Sequence, residues 1–160
     1  MLKYIEDMTD VVFAELPDEV SLAINITNCQ NRCKGCFEPF LRKDIGKVLD
    51  DEELLRLIHK EPDITAVLFM GEGNDPEELK RLAKLVKSTT NYKVALYSGR
   101  EKVEDELYEI FDYIKVGPYR EEYGPLRKKT TNQRLYLMEN GEKKDITYKF
   151  WENKFDLEKI

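Results

Sequence analysis

The chain of 160 residues is 41% hydrophobic and 36% charged, with a net charge of −6, a balance that suits one ordinary domain with a real core and a heavily solvated surface. No stretch reaches the roughly 18 consecutive apolar residues of a membrane span, residues 1–7 lack the apolar segment of a secretory signal, and the negative charge argues against a nucleic-acid partner, which calls for a basic face. The expectation is a soluble cytoplasmic protein with neither membrane nor nucleic acid as a partner.

In chain order, residues 20–27 (VSLAINIT) are β-prone and predict a strand. Residues 28–37 follow as a polar loop that carries all three cysteines. Asp50, Asp51, Glu52 and Glu53 open a helical pattern with Leu54, Leu57 and Ile58 on one face. Residues 64–70 (ITAVLFM) form a continuous apolar run, as in a strand covered on both faces. Asp75 and Pro76 predict a sharp helix start, with Asp75 as N-cap, Pro76 at N1 and Glu78 at the capping-box position. Leu79, Leu82, Ala83 and Val86 form the buried stripe of that helix. Residues 93–97 predict a strand ended by Ser98 and Gly99. Residues 101–110 predict a short helix, and residues 113–116 a strand ended by Gly117 and Pro118.

Strands alternating with helices imply parallel pairing through right-handed crossovers. Ligands of such sheets gather beyond the carboxyl ends of the strands, where residues 28–37, 70–75, 98–99 and 117–120 fall. Beyond them, residues 134–138 and 146–150 flank Asn140-Gly141, a hairpin turn signal. The expected organisation is one domain, with a core over 19–133 and an appended hairpin and tail over 134–160. Arg120, Arg127, Lys128, Lys129 and Arg134 cluster in one segment, either as a solvated loop or as a basic docking patch.

The cysteines read Cys29-x₃-Cys33-x₂-Cys36. An odd number within eight residues does not build a disulfide framework and reads as a metal site. Three thiolates suit three irons of a four-iron cluster and leave the fourth open to an outside ligand. Structural zinc takes four ligands, and the single histidine, His59, lies far off in a helical pattern. Spacing alone leaves zinc as a rival. Gly35 allows a tight turn between two ligands.

The cysteine spacing followed by the aromatic Phe37 resembles the signature of radical S-adenosylmethionine enzymes. The resemblance implies a partial (β/α) barrel with the cluster in the loop after the first strand. A second mark of that family is Gly-Gly-Glu after the second strand. Here Met70 stands in place of the first glycine, and Gly71 and Glu72 match. The resemblance implies a [4Fe–4S] cluster on Cys29, Cys33 and Cys36. It also implies S-adenosylmethionine on the open iron, held at its methionine end by Gly71 and Glu72. Gly35 and Phe37 would lie against this cofactor, and Ser98 is a candidate for its carboxylate or ribose.

Two further segments narrow the family. Residues 113–119 (YIKVGPY) with 129–134 (KTTNQR), and Tyr97-Ser98-Gly99, are similar to the activating components of anaerobic ribonucleotide reductases. That likeness implies reductive cleavage of S-adenosylmethionine and hydrogen abstraction from a backbone glycine of the large reductase subunit. The electron would come from a donor such as a flavodoxin or ferredoxin. Other readings are an activase of a different glycyl-radical enzyme, a small-molecule radical enzyme, or a non-catalytic zinc-binding module.

Overall fold

The computed structural model describes residues 1–29 and 39–151. Nine strands and three α-helices follow in chain order: β1 (Leu2–Tyr4), β2 (Asp10–Val12), β3 (Ser21–Asn25), β4 (Lys47–Leu49), α1 (Asp51–His59), β5 (Ala66–Met70), α2 (Pro76–Thr89), β6 (Lys93–Tyr97), α3 (Asp105–Ile110), β7 (Tyr113–Val116), β8 (Arg134–Glu139) and β9 (Glu142–Asp145). A seven-stranded sheet has the order β2-β3-β5-β6-β7-β8-β9, and β1 and β4 form a separate antiparallel pair. β3, β5, β6 and β7 run parallel in sequence order. The sheet is open, with β2 and β9 as its antiparallel edges.

Alternation along the central strands divides the core. Leu22, Ile24, Val67, Phe69, Val94, Leu96, Ile114 and Val116 pack with the apolar stripes of α1, α2 and α3. Ala23, Ala66, Leu68, Ala95, Tyr113 and Leu135 point the other way, against Leu16 and Ile146. All three helices therefore lie on one face. On the other, three alanines leave room for the N-terminal segment that carries Leu16 to lie close to the strands.

α2 begins as its sequence dictates. Asp75 accepts from the Glu78 amide at 3.2 Å, and Pro76 fills the first position, where no N–H is needed. The Glu78 side chain does not return to the cap. It takes a bidentate grip from Arg81 at 2.6 and 2.9 Å, so the box is half formed. α1 is capped in the same way by Asp50, which accepts from Glu53.

β3 and β5 are shorter than expected by one or two residues at their ends, and two boundaries differ by more. α3 starts at Asp105 rather than at 101, because the preceding turn is spent on side-chain ion pairs of Glu101 and Glu104. The return strand of the hairpin is β9, not residues 146–150, which form a 3₁₀ turn over Thr147–Phe150. Asn140 and Gly141 both have positive φ, 52° and 78°, the signature of a two-residue type I′ turn. The turn pairs Glu139 with Glu142 at once. The hairpin extends the main sheet by pairing β8 with β7.

Among the described residues, no helix is long and apolar enough to cross a membrane.

Candidate functional site

The parallel ladder continues past the strand ends and binds the rim loops together. Ile26 donates to Met70 O at 3.1 Å, Gly71 to Tyr97 O at 3.0 Å, Ser98 to Lys115 O at 2.8 Å and Gly117 to Arg100 O at 2.6 Å. Each rim loop thus begins at a height set by its neighbour, and residues distant in sequence meet at one edge.

The cysteine-bearing loop is anchored at both ends. The Asn28 amide donates to Lys43 O at 3.0 Å and the Cys29 amide to Leu41 O at 2.9 Å. The Thr27 hydroxyl donates to Ile45 O at 2.6 Å. Asn28 adopts φ 60°, a left-handed turn that asparagine tolerates, and this turns the chain out of line with β3. Cys29 is half-buried at this turn. Cys33, Gly35, Cys36 and Phe37 lie outside the described residues.

Gly71-Glu72-Gly73 leaves the end of β5. Met70, which stands where the resembled motif has glycine, is a regular strand residue paired with Asn25 and Tyr97. The left-handed positions are Gly71 at φ 110° and Gly73 at φ 67°. At Gly73 a Cβ would lie 2.7 Å from Leu2 Cδ2 and 2.9 Å from Ile26 Cγ2. The conformational demand for glycine therefore falls on Gly71 and Gly73, and a side chain at position 70 is compatible with the turn.

Glu72 is held from the next loop. Arg100 Nε meets Glu72 Oε2 at 2.9 Å and Arg100 Nη2 meets Oε1 at 2.5 Å. Ser98 Oγ donates to the same Oε2 at 2.6 Å and accepts from the Arg100 amide at 3.1 Å. Ser98 is buried, with its hydroxyl committed to this network. Arg100 also grips Glu104 through Nη1 at 2.8 Å and Nη2 at 3.0 Å. Arg100 draws the Glu104 carboxyl down to about 2, and the two carboxylates, Glu104 foremost, strengthen the hold of Arg100 on its proton.

These groups border a cleft of about 300 Å³ lined by Cys29, Glu72, Gly73, Asn74, Pro76, Arg100 and Glu104. A sulfur donor at Cys29 and a glycine-flanked backbone segment thus share one cavity at the carboxyl ends of β3 and β5. That donor chemistry fits an iron or zinc ligand at position 29. No group of three or more His, Cys, Asp or Glu side chains among the described residues is gathered for a metal. His59 is exposed at the end of α1.

The later segment has a clear local role. Asn132 Nδ2 donates to Pro118 O at 2.9 Å, and Gln133 Nε2 donates to Gly117 O at 3.3 Å. Thr131 Oγ1 accepts from the Gln133 amide at 3.1 Å. Gly117 has φ 103°, and a Cβ there would lie 3.1 Å from Gln133 Cα. Thr131, Asn132 and Gln133 therefore clamp the turn that ends β7. The basic cluster is partly neutralised, since Arg120 pairs with Glu101 and Arg134 with Asp145.

Arg100 and Glu104 were not among the expected site residues. Both precede α3, so no helical spacing marks the pair; the local signal is a basic residue directly after Ser98-Gly99 at the end of β6. Compared with known proteins, the chain matches no family model, no curated protein and no solved structure.

Proposed function

We propose that the chain is a radical S-adenosylmethionine enzyme on a partial (β/α) barrel, acting to install a glycyl radical on a large anaerobic ribonucleotide reductase subunit. The observation that carries this proposal is one cleft that holds both Cys29 and the Glu72-Gly73 segment. It gains support from four sequential parallel strands with their helices on one face, and from the spacing of the three cysteines. Cys29, Cys33 and Cys36 hold the [4Fe–4S] cluster. When bound, the cluster supplies a low-potential electron, and S-adenosylmethionine supplies the sulfonium that accepts it. Gly71 and Glu72 position the methionine end, and Ser98 supports Glu72. By the family resemblance, Gly35 and Phe37 would contact the cofactor, and the loop over residues 117–133 would meet the reductase.

Anaerobic reconstitution with iron and sulfide tests the proposal. Wild type is expected to gain an iron–sulfur chromophore and, once reduced, to release methionine and 5′-deoxyadenosine; Cys36→Ala is expected to do neither. Stoichiometric zinc without iron in freshly isolated anaerobic protein would overturn it. A glycyl doublet in electron paramagnetic resonance on mixing with the reductase subunit separates this target from another glycyl-radical enzyme or a small molecule.

A further inference from the structure

Arg100 ties three rim loops together. Its guanidinium grips Glu72 from the β5 loop, its amide donates to Ser98 Oγ in its own loop, and its carbonyl accepts the Gly117 amide from the β7 loop. A second bidentate pair with Glu104 fixes the guanidinium from behind. Glu72 itself sits between two glycines of positive φ, a backbone with little conformational preference of its own. The Gly71 amide is fixed on Tyr97 O, and beyond that anchor the main grip on Glu72 is the hold of Arg100 on its side chain.

We propose that Arg100 is a positioning residue for the cleft. By holding the Glu72 carboxylate it sets the backbone of residues 71–73, and through that backbone the affinity for the amino-acid end of the bound cofactor. The identity of that ligand rests on the function proposed above; the control of the loop by Arg100 does not. Isolated exposed ion pairs contribute little. This one differs in geometry, because Glu72 is only 17% exposed, the grip is bidentate, and Ser98 adds a third bond. Without the guanidinium, Glu72 and Glu104 would face each other as like charges across the cleft, and the Ser98 hydroxyl alone would have to retain Glu72.

Two measurements on Arg100→Ala, Arg100→Lys and Glu104→Gln test this. The first is amide hydrogen exchange at Gly71, Arg100 and Gly117, whose bonds tie the rim loops together, in the protein as isolated. The second is equilibrium dialysis of S-adenosylmethionine with the anaerobically reconstituted protein. Arg100→Ala is expected to speed exchange roughly tenfold at these amides and to weaken binding roughly tenfold, the loss of one bidentate charge-assisted contact. Arg100→Lys restores part of both, because it keeps the charge and loses the fork. Glu104→Gln is expected to fall between wild type and Arg100→Ala in both, since it removes the carboxylate that fixes the guanidinium from behind but spares the Glu72 pair. Exchange and affinity both unchanged in a folded Arg100→Ala protein would overturn the proposal. Should that variant lose its fold, Arg100→Gln carries the same comparison. Wild type that binds no S-adenosylmethionine would instead overturn the proposed function, and the exchange measurement would still decide the role of Arg100.

Discussion

The Tyr4 hydroxyl donates to Glu53 Oε2 at 2.9 Å and joins β1 to the first turn of α1. Arg56 Nε meets the other oxygen of the same carboxylate at 2.5 Å. Arg56 first, then Tyr4, hold the Glu53 carboxyl down to about 2 against an ordinary value of 4.5. A depressed carboxyl contributes stability that is complete above its unfolded value and is lost as pH falls through its folded one. Glu53→Gln is therefore expected to cost about 1–2 kcal/mol at pH 7. The gap to wild type should close between pH 4.5 and about 2, as followed by thermal unfolding across that range. A gap that persisted at the acid end would show that the charge of Glu53 is not what stabilises the contact.

Asp75 serves two partners, the Glu78 amide at the start of α2 and the N-terminal ammonium of Met1. Asp75→Ala is expected to lower stability by about 1 kcal/mol, the usual cost of a lost N-cap. Asp75→Asn should retain most of that stability, since the amide oxygen still caps. Urea midpoints of the two variants separate capping from charge.

Position 70 and position 73 make opposite demands. Gly73→Ala brings its Cβ against the side chains of Leu2 and Ile26, both fully buried, and should cost about 1–3 kcal/mol through overpacking. Met70→Gly restores the resembled motif but removes a side chain packed against the Ala23–Leu68 side of the core. It should cost about 2–3 kcal/mol and, on the function proposed above, leave the affinity for S-adenosylmethionine no better than wild type. Denaturation and equilibrium dialysis on the two variants check this.

Asn132→Ala removes the bond to Pro118 O, but it also removes a buried Oδ1 that has no partner. The two effects oppose each other, so global stability should change by less than about 1 kcal/mol. The turn that Asn132 clamps should loosen. Trypsin is then expected to cut faster after Arg127, Lys128 or Lys129, which limited proteolysis reads directly.

Where one stretch of chain carries its own instruction, the fold was legible in the sequence. β6 and β7 have the expected bounds, and Asp75-Pro76 starts α2 as its chemistry requires. The three-residue strands β1, β2 and β4 carry too little pattern to read: β1 and β4 are defined by each other across the chain, and β2 by the loop that returns it to β3. β9 (EKKD) is exposed at every residue. It is a strand because the Asn140-Gly141 turn delivers it to β8, not because of any apolar alternation. The site divides in the same way. Cys29, Gly71 and Glu72 stand out as residue types in a pattern. Arg100 does not, because its meeting with Glu72 across 28 positions exists only after β5 and β6 have paired.

The bonds at Thr27, Asn28 and Cys29 to Leu41, Lys43 and Ile45 have a consequence for how this protein can change over time. They staple the two ends of the cysteine-bearing segment to one another next to the sheet, through backbone atoms and one hydroxyl. Because the acceptors are main-chain carbonyls, the side chains at Leu41, Lys43 and Ile45 can be exchanged while the strand beneath keeps its register and the neighbouring cleft keeps its wall at Cys29.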